Sequence, residues 1–174
     1  MKRVLFPNGY FDSVFDIDYK KLWDMGYRGL MFDVDNTLTV HNDRARKKEA
    51  DFFKYLRKTG FRTVILSNNS KDRVEPFANL VKTPFVSRAK KPLSSGYLRG
   101  MHMMGTNVTN TVFIGDQIYT DIVGANRLGL KNILVKPISP KETLWIRVKR
   151  VFEKPVLSMY EAKHKRNLLF SGDV

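Results

Sequence analysis

Two aspartates lie two residues apart directly after an apolar run. The run 29–32 is apolar and is followed by Asp33 and Asp35, so a buried strand is predicted to end in carboxylates that point into one crevice. Neighbouring carboxylates raise each other's pKa unless a cation or a hydrogen-bond network keeps them ionised. Mg²⁺ suits this position because it prefers oxygen ligands and keeps waters that phosphate oxygens can replace. The pair therefore indicates metal-assisted chemistry at a phosphate group.

A second pair of aspartates, Asp116 and Asp121, follows another apolar run at 111–114. If both runs are strands of one parallel sheet, the two pairs meet at the same edge. Between them in the sequence are Ser67, which ends a third apolar run, and Lys91, which stands before a proline that favours the first turn of a helix. These two residues would add a hydroxyl donor and a fixed positive charge to the carboxylates.

Short apolar runs alternate with amphipathic stretches along most of the chain. Strands are predicted at 29–35, 61–66, 85–86, 111–114 and 131–135. Helices are predicted at 46–59, 71–81, 93–104 and 120–128. This alternation is typical of an α/β protein with a mainly parallel sheet and helices on both faces, in which functional groups gather at the carboxyl ends of the strands.

Four motifs in order resemble those of the haloacid-dehalogenase (HAD) phosphatases: Asp33-x-Asp35-x-Thr37, then Ser67, then Lys91-Pro92, then Gly115-Asp116 followed by Asp121. The resemblance spans about residues 29 to 135, and the order of the motifs makes it specific. It implies a Rossmann-like HAD fold.

The resemblance also implies a role for each motif residue. Asp33 would be the nucleophile that forms an aspartyl-phosphate, and Asp35 would be the general acid and base. Mg²⁺ would be bound by Asp33, Asp116 and the backbone carbonyl of Asp35, with Asp121 as a further ligand through water or as a support for the ligands. The phosphoryl oxygens would contact hydrogen-bond donors and one cation: Thr37, Ser67, Asn68 and Lys91.

These assignments have structural alternatives. Asp33 and Asp35 could be surface or helix-capping residues, although the apolar run before them speaks against this. Lys90 could take the place of Lys91, and Asp121 could cap or favourably charge the first turn of its helix. The positions of these side chains in the fold decide between the alternatives.

The spacing of the motifs leaves little room for an inserted domain. Only about 30 residues separate Asp35 from Ser67, and the interval from Ser67 to Lys91 is shorter. One helix and one strand use nearly all of the first interval, so no cap domain fits. An open site can accept a phosphate on a large or surface-bound substrate and gives little enclosure for a small metabolite.

Further segments resemble the YqeG family, a capless class III branch of the superfamily. They are residues 6–18, the sequence Asp-Asn-Thr-Leu in the first motif, and the sequence Gly-Asp-Gln-x-x-Thr-Asp followed by residues 124–129. The resemblance covers nearly the whole chain to Pro137. The family is related to phosphatidylglycerophosphate phosphatases of mitochondria and plastids. This kinship implies removal of the terminal phosphate from phosphatidylglycerophosphate, which leaves phosphatidylglycerol.

The chain is strongly basic, with 31 Lys and Arg against 17 Asp and Glu and a formal net charge of +14. Such a surplus attracts polyanions, and nucleic acid, an anionic membrane surface and a phosphorylated small molecule all fit it. The segment 142–152 mixes Trp, aliphatic and basic residues as an interfacial helix would, and Lys149 and Arg150 could face anionic headgroups. A helix packed on the domain explains the same spacing.

Two other classes of function fit part of the sequence. A nucleic-acid- or ribosome-binding protein on a degenerate phosphatase scaffold fits the charge, but the complete motif set speaks against it. A phosphorylatable receiver domain would carry its phosphoacceptor after a later strand. Within the enzyme class, nucleic-acid ends, phosphoproteins and soluble phosphate esters are the alternative substrates to the lipid.

One domain is predicted for residues 1–174, with a core at about 18–137 and a basic C-terminal extension at 138–174. The absence of cysteine excludes disulfides and thiolate chemistry. The basic and apolar start is interrupted at Pro7, too early for a signal peptide, and no later run reaches the roughly 20 apolar residues that span a bilayer. We therefore expect a cytoplasmic protein, soluble or peripheral at a membrane.

Overall fold

The structure is a computed structural model that describes residues 2–40, 46–139, 144–162, 164, 169 and 170. Its strands are β1 (Gly9–Phe11), β2 (Gly29–Phe32), β3 (Arg62–Leu66), β4 (Phe85–Val86), β5 (Thr111–Gly115) and β6 (Lys131–Val135). Its helices are α1 (Lys2–Leu5), α2 (Tyr19–Asp24), α3 (Lys47–Thr59), α4 (Lys71–Val81), α5 (Ser94–Met104), α6 (Val123–Arg127) and α7 (Leu144–Glu161).

The six strands form one sheet in the order β1-β6-β5-β2-β3-β4, and every neighbouring pair is parallel. The predicted α/β fold class is confirmed. β2 lies between β5 and β3, so the chain segments that follow these three strands emerge side by side at one edge of the sheet. Asp33, Ser67 and Asp116 directly follow these three strands and therefore lie along that edge.

Apolar side chains of the central strands alternate between the two faces of the sheet. Leu30 and Phe32 of β2 join the core cluster formed with α2, α3 and α4, whereas Met31 joins the cluster formed with α5. Because both faces are covered by helices, the central strands are apolar on consecutive residues, which is typical of parallel sheets. Each fully buried side chain of this kind contributes about 1.5–3 kcal/mol to folding, so the two clusters hold the strand ends in register.

The first strand was not predicted. Gly9–Phe11 pairs with Ile133–Val135 of β6 at the edge of the sheet, so the predicted core of 18–137 omits one structural strand. Only three residues pair, and the first of them ends the turn-like sequence Pro7-Asn8-Gly9, so the sequence pattern at this position was too short to indicate a strand.

The predicted helix 120–128 was wrong in its start and type. A single π-helical turn covers Ile118–Ile122, and the α-helix α6 begins only at Val123. π-helical turns are rare and are found mostly as single turns at functional sites, which the apolar period of the sequence does not reveal.

The C-terminal helix α7 packs on the edge of the sheet. Tyr160 is buried, and its ring contacts the rings of Phe6 and Tyr10 with centroids 6.0 and 6.4 Å away. The predicted helix 142–152 thus continues to Glu161; its first two residues lie outside the described part of the chain, as do the side chains of Lys149 and Arg150. Among the described helices, none is long and apolar enough to cross a bilayer.

The intervals after β2 and β3 contain no inserted domain within the described residues. After β2 the chain makes a tight turn closed by a bridge between Asp35 and Thr39 and then enters α3. After β3 it forms α4 and β4 and returns toward the sheet edge at Lys91. The expected absence of a cap domain agrees with this arrangement.

Candidate active site

The nucleophile candidate Asp33 stands one residue beyond the end of β2. Its backbone N–H donates to the carbonyl of Ile114 (2.9 Å), so the strand pairing with β5 continues up to this position. The carbonyl of Val34 then accepts from Leu38 at 2.9 Å and closes the turn, and Asn36 has φ +61°, a conformation that asparagine tolerates better than most residues. The turn therefore holds Asp33 buried at the centre of the sheet edge.

Lys91 joins the two acidic motifs. Its ammonium Nζ lies 2.5 Å from Asp33 Oδ1 and 2.7 Å from Asp121 Oδ1, and all three side chains are buried. The peptide bond from Lys91 to Pro92 is cis. The neighbouring Lys90 is exposed, so Lys91 is the lysine that the fold brings to the carboxylates.

Three buried carboxylates form a cluster that could hold a metal ion. One oxygen each of Asp33, Asp116 and Asp121 lies within 4.8 Å of the others. The Thr37 hydroxyl donates to Asp116 Oδ1 at 3.2 Å and so fixes that carboxylate. Three carboxylates offer oxygen ligands here, so a divalent cation with oxygen preference fits this donor set in chemistry.

Burial and the neighbouring charges shift the pKa values of the cluster residues. Burial raises the pKa of the Asp33 carboxyl to about 7, against the lowering effect of the Lys91 ammonium. Burial lowers the pKa of Lys91, but attraction by Asp121 and Asp33 is stronger, so its pKa is raised overall and Lys91 stays charged. A bound cation would favour the ionised form of Asp33 in the same way.

Asp121 reaches the cluster from the π-helical turn. Its Oδ2 accepts from the backbone N–H of Gln117 at 3.1 Å, while Oδ1 contacts Lys91. A side chain at Gly115 would bring a Cβ within 2.5 Å of Asp121 Oδ2, so glycine is required where β5 ends. The carboxylate is fully buried, contacts the Lys91 ammonium and also accepts from the N-cap residue of its own helical turn, so its role as a metal ligand stays a prediction.

Tyr97 supports this turn from α5. Its hydroxyl donates to the backbone carbonyls of Thr120 and Asp121 at 3.0 and 3.1 Å, and a Cβ at Gly124 would lie 2.4 Å from the same hydroxyl oxygen. Burial raises the pKa of Tyr97, which therefore keeps its donor proton. Sequence analysis missed Tyr97 because its place in an apolar helix face carried no sign of this contact.

Asp35 is held by two further residues that sequence analysis missed. The Asn69 amide donates to Asp35 Oδ2 at 2.6 Å, and Arg73 Nη2 donates to Asp35 Oδ1 at 2.8 Å. Both residues follow β3: Asn69 is the last residue of the Ser-Asn-Asn sequence, in which only Ser67 and Asn68 were singled out, and Arg73 lies four residues further on. Asp35 thus sits beside the three-carboxylate cluster, with its side chain turned to donors of its own.

Ser67 and Asn68 have different surroundings. Ser67 is buried at the end of β3, and its Oγ accepts from the backbone N–H of Asn69 at 3.2 Å, which leaves its hydroxyl proton for another acceptor. Asn68 is exposed and brackets the Lys91 backbone: its Oδ1 accepts from the N–H at 2.7 Å and its Nδ2 donates to the C=O at 3.1 Å. Asn68 therefore positions Lys91, and its contact with phosphate stays a prediction.

An all-parallel sheet that gathers carboxylates and a lysine beyond the ends of β2 and β5 is the arrangement of a HAD-type hydrolase. Residues 88–137 match the family described as HAD-hydrolase-like. The chain is 32% identical over 165 residues to the probable phosphatase YqeG of Bacillus subtilis strain 168, a match that covers 94% of this chain and 95% of that protein. The chain belongs to the YqeG family of phosphatases in the HAD superfamily, as its motifs predicted.

Solved structures share the fold at low identity. The cobalt-bound deoxy-D-mannose-octulosonate 8-phosphate phosphatase of Haemophilus influenzae aligns with a TM-score of 0.51 and 13% identity, over 83% of this chain and 96% of that one. A candidate HAD family hydrolase of Streptomyces avermitilis aligns with a TM-score of 0.50 and 16% identity, over 63% of this chain and 72% of that one. These similarities concern the fold.

Mg²⁺ is expected to stabilise the protein through the three-carboxylate cluster. A ligand at a hundred times its Kd stabilises the folded state by about 2.7 kcal/mol, which should raise the Tm of a chain of this size by about 5–10 °C. Asp116→Asn should remove most of this shift, whereas Asp51→Asn on the exposed side of α3 should leave it unchanged. Thermal unfolding with and without Mg²⁺ measures it, and equal shifts in the two variants would place the metal elsewhere.

The stability of the metal-free protein and its stabilisation by Mg²⁺ should both depend on pH. Because the pKa of Asp33 in the metal-free fold is raised to about 7, the folded protein binds a proton that the unfolded chain has already lost, and its stability falls as pH rises through about 7. Mg²⁺ competes with that proton, so its stabilising effect should increase over the same pH range. Asp33→Asn should abolish the pH dependence of the metal-free protein in this window.

Proposed function

We propose that this phosphatase hydrolyses phosphate monoesters in an Mg²⁺-dependent reaction through an aspartyl-phosphate on Asp33. The observation that supports this most directly is the position of Asp33: it is buried at the end of the central strand, 2.5 Å from the Lys91 ammonium and within a cluster of three carboxylates. A nucleophile at this position is oriented by the strand and meets the substrate at the open edge of the sheet.

In the first half-reaction an oxygen of Asp33 attacks phosphorus and the bond to the ester oxygen breaks. The leaving oxygen takes a proton from the Asp35 carboxyl. In the second half-reaction the Asp35 carboxylate removes a proton from water as the water oxygen attacks the phosphorus of phospho-Asp33. Inorganic phosphate leaves, and both aspartates return to their starting states.

The remaining site residues stabilise charge on the transferred phosphoryl group. Ser67 donates its free hydroxyl proton to a phosphoryl oxygen, and the Lys91 ammonium lies beside the nucleophile to neutralise charge there. Asp33, Asp116 and Asp121, with the backbone carbonyl of Asp35, would hold Mg²⁺, which supplies further positive charge to the phosphoryl oxygens. The contact between Thr37 and Asp116 gives Thr37 a role in holding a ligand, and its contact with phosphate stays a prediction.

The proposed substrate is phosphatidylglycerophosphate, as the family resemblance implies. Among the described residues no inserted domain covers the site, which suits a phosphate carried on a lipid in a membrane. Helix α7 lies against the Asp116 loop: Glu153 accepts from the backbone N–H of Ile118 at 2.7 Å, and the Tyr119 hydroxyl donates to the carbonyl of Phe152 at 3.0 Å. On this docked segment Phe152 is 63% exposed, and Lys154 of the same helix is also exposed.

An apolar and basic rim beside the site supports a membrane-borne substrate. Ile138 is also exposed, and its N–H donates at 3.1 Å to the carbonyl of Asn36 in the turn that carries Asp33 and Asp35. Exposed apolar side chains together with lysine are typical of surfaces that bind anionic bilayers. The net charge of +14 adds a long-range attraction to such a surface.

Phosphate release from phosphatidylglycerophosphate in anionic mixed micelles with Mg²⁺ tests the substrate. We expect preferential turnover of the lipid over a panel of soluble phosphate esters, and loss of turnover in Asp33→Asn. Activity confined to soluble esters, phosphopeptides or nucleic-acid ends would keep the phosphatase and reject the lipid. Inactivity on every substrate would favour a binding protein on this scaffold.

A further inference from the structure

Both oxygens of the Asp35 carboxylate are held by residues from outside its own loop. Arg73 Nη2 donates to Oδ1 at 2.8 Å and Asn69 Nδ2 donates to Oδ2 at 2.6 Å. The Asp35 side chain is 14% exposed and that of Arg73 is 23% exposed, so water screens this ion pair less than one on the open surface. The contacts join the turn after β2 to the loop after β3, through Asn69, and to the first turn of α4, through Arg73.

Asn69 links the pair of Asp35 and Arg73 to Ser67, which is proposed to donate to a phosphoryl oxygen. Its backbone N–H donates to Ser67 Oγ at 3.2 Å while its side chain donates to Asp35. One residue therefore sets the direction of the Ser67 hydroxyl and of the Asp35 carboxylate together. The geometry couples the group that would hold the phosphoryl oxygen to the group that would protonate the leaving oxygen.

We propose that Arg73 and Asn69 are positioning residues that fix the Asp35 carboxylate in the orientation required for proton transfer. This rests on the proposed role of Asp35 as general acid and base. Each carboxylate oxygen has two lone-pair sites, so an oxygen that accepts from Arg73 or Asn69 can also carry the proton that passes to the ester oxygen and is later regained from water. The guanidinium does not release its own proton, so Arg73 acts only through Asp35.

Arg73 holds Asp35 by a single hydrogen bond from Nη2. Its Nε is buried and has no acceptor among the described residues, so the pair is not the bidentate form that fixes an arginine and a carboxylate most rigidly. Asn69 supplies the second contact that defines the plane of the carboxylate. Proton transfer is sensitive to position because a displacement of about 1 Å can reduce a rate about a hundredfold.

Arg73→Met tests the proposal through its dependence on the leaving group. Turnover of an alkyl phosphate, whose leaving oxygen needs a proton, should fall about tenfold to a hundredfold, while turnover of p-nitrophenyl phosphate should fall by less than about threefold. Most of the loss should be in kcat rather than in KM, and Arg73→Lys should recover part of it. Asn69→Ala should shift the ratio of the two rates in the same direction.

The double variant Asp35→Asn/Arg73→Met separates positioning from a general structural effect. If Arg73 acts through Asp35, Arg73→Met should cost less than about twofold once Asp35 is asparagine. Arg57→Met is the matched control, because Arg57 donates to the carbonyl of Val81 at 2.7 Å between α3 and α4, far from the proposed chemistry. Arg57→Met should leave the ratio of alkyl to aryl rates unchanged.

Several outcomes would overturn the proposal. An equal loss on both esters in Arg73→Met, or a full additional loss in the Asp35→Asn background, would make Arg73 a structural residue only. If Arg73→Met does not fold, Asn69→Ala and Arg73→Lys carry the same comparison, and an unchanged rate ratio in both would reject the idea. A different result would show that the proposed general-acid role of Asp35 is itself wrong. In that case Asp35→Asn would lose no more rate on the alkyl ester than on the aryl ester.

Discussion

Asp33→Asn is expected to abolish phosphate release while the protein stays folded. Loss of a nucleophile that forms a covalent intermediate typically lowers kcat by at least about 10⁴-fold, and the amide of asparagine is a much weaker nucleophile than a carboxylate. The substitution keeps the size of the side chain at the end of β2. It also removes a buried carboxylate whose pKa burial raises to about 7, so the metal-free variant should be as stable as the wild-type protein or more stable.

Phosphate release and phosphorylation of the protein should be measured together. Wild-type enzyme stopped in acid during turnover should carry one phosphoryl group that hydroxylamine removes, as expected for an acyl phosphate, and Asp33→Asn should carry none. Asp51→Asn, on the exposed side of α3, should match the wild-type protein in both measurements. An active Asp33→Asn enzyme, or a phosphoryl group that persists in it, would remove Asp33 from the mechanism.

The sequence predicted the location of those candidate site residues that follow the ends of strands. Asp33, Ser67 and Asp116 follow apolar runs, and a parallel sheet places such positions along one edge regardless of side-chain detail. Lys91 was identified by its place before proline, and the structure brings it to Asp33 and Asp121. The all-parallel order of the sheet follows from the same alternation of strands and helices.

The residues that the sequence did not reveal act through contacts between separate elements. Arg73 lies in the first turn of α4, where an arginine on an amphipathic helix is usually a solvated surface residue. Tyr97 lies in the apolar face of α5, and its contact with the π-helical turn depends on a backbone that departs from the regular helix period. The spacing of residue types along the sequence does not predict either contact, because each contact joins positions more than twenty residues apart.

The sequence also did not reveal how the edge strand β1 and the C-terminal helix α7 contact the rest of the fold. β1 pairs through only three residues, and α7 reaches the catalytic loop through Glu153, a buried carboxylate that accepts a backbone hydrogen bond. Both segments were predicted to be additions to the core. In the structure β1 pairs with β6, and Tyr10 of β1 lines one cavity with Asp116 and with Glu153 and Leu157 of α7.

Lys91→Met is expected to have the largest effect on stability among the site variants. The substitution leaves Asp33 and Asp121 buried without the ammonium that lies 2.5 and 2.7 Å from them. Removing one partner of a buried ion pair typically costs about 3–5 kcal/mol because the remaining charge is left uncompensated. Chemical denaturation in metal-free buffer at pH 8 should show a loss of this size.

The loss should shrink under two conditions that restore charge balance. At pH 6 protonation of Asp33, whose pKa burial raises to about 7 in the wild-type fold, removes part of the repulsion. Mg²⁺ bound by the three carboxylates should offset another part, and the second substitution Asp121→Asn should do the same without metal. Turnover should stay about a hundredfold to a thousandfold lower even with Mg²⁺, because the phosphoryl group loses a fixed cation.

Lys90→Met is the matched control, since Lys90 precedes Lys91 and its side chain is exposed. It should change the free energy of unfolding by less than about 0.5 kcal/mol and leave turnover near the wild-type value. If Lys90→Met and Lys91→Met had equal effects, the lysine beside proline would not be the cation of the site. If Lys91→Met were destabilised to the same extent with and without Mg²⁺ and at both pH values, the loss would come from packing, and the cluster would not be held together by charge.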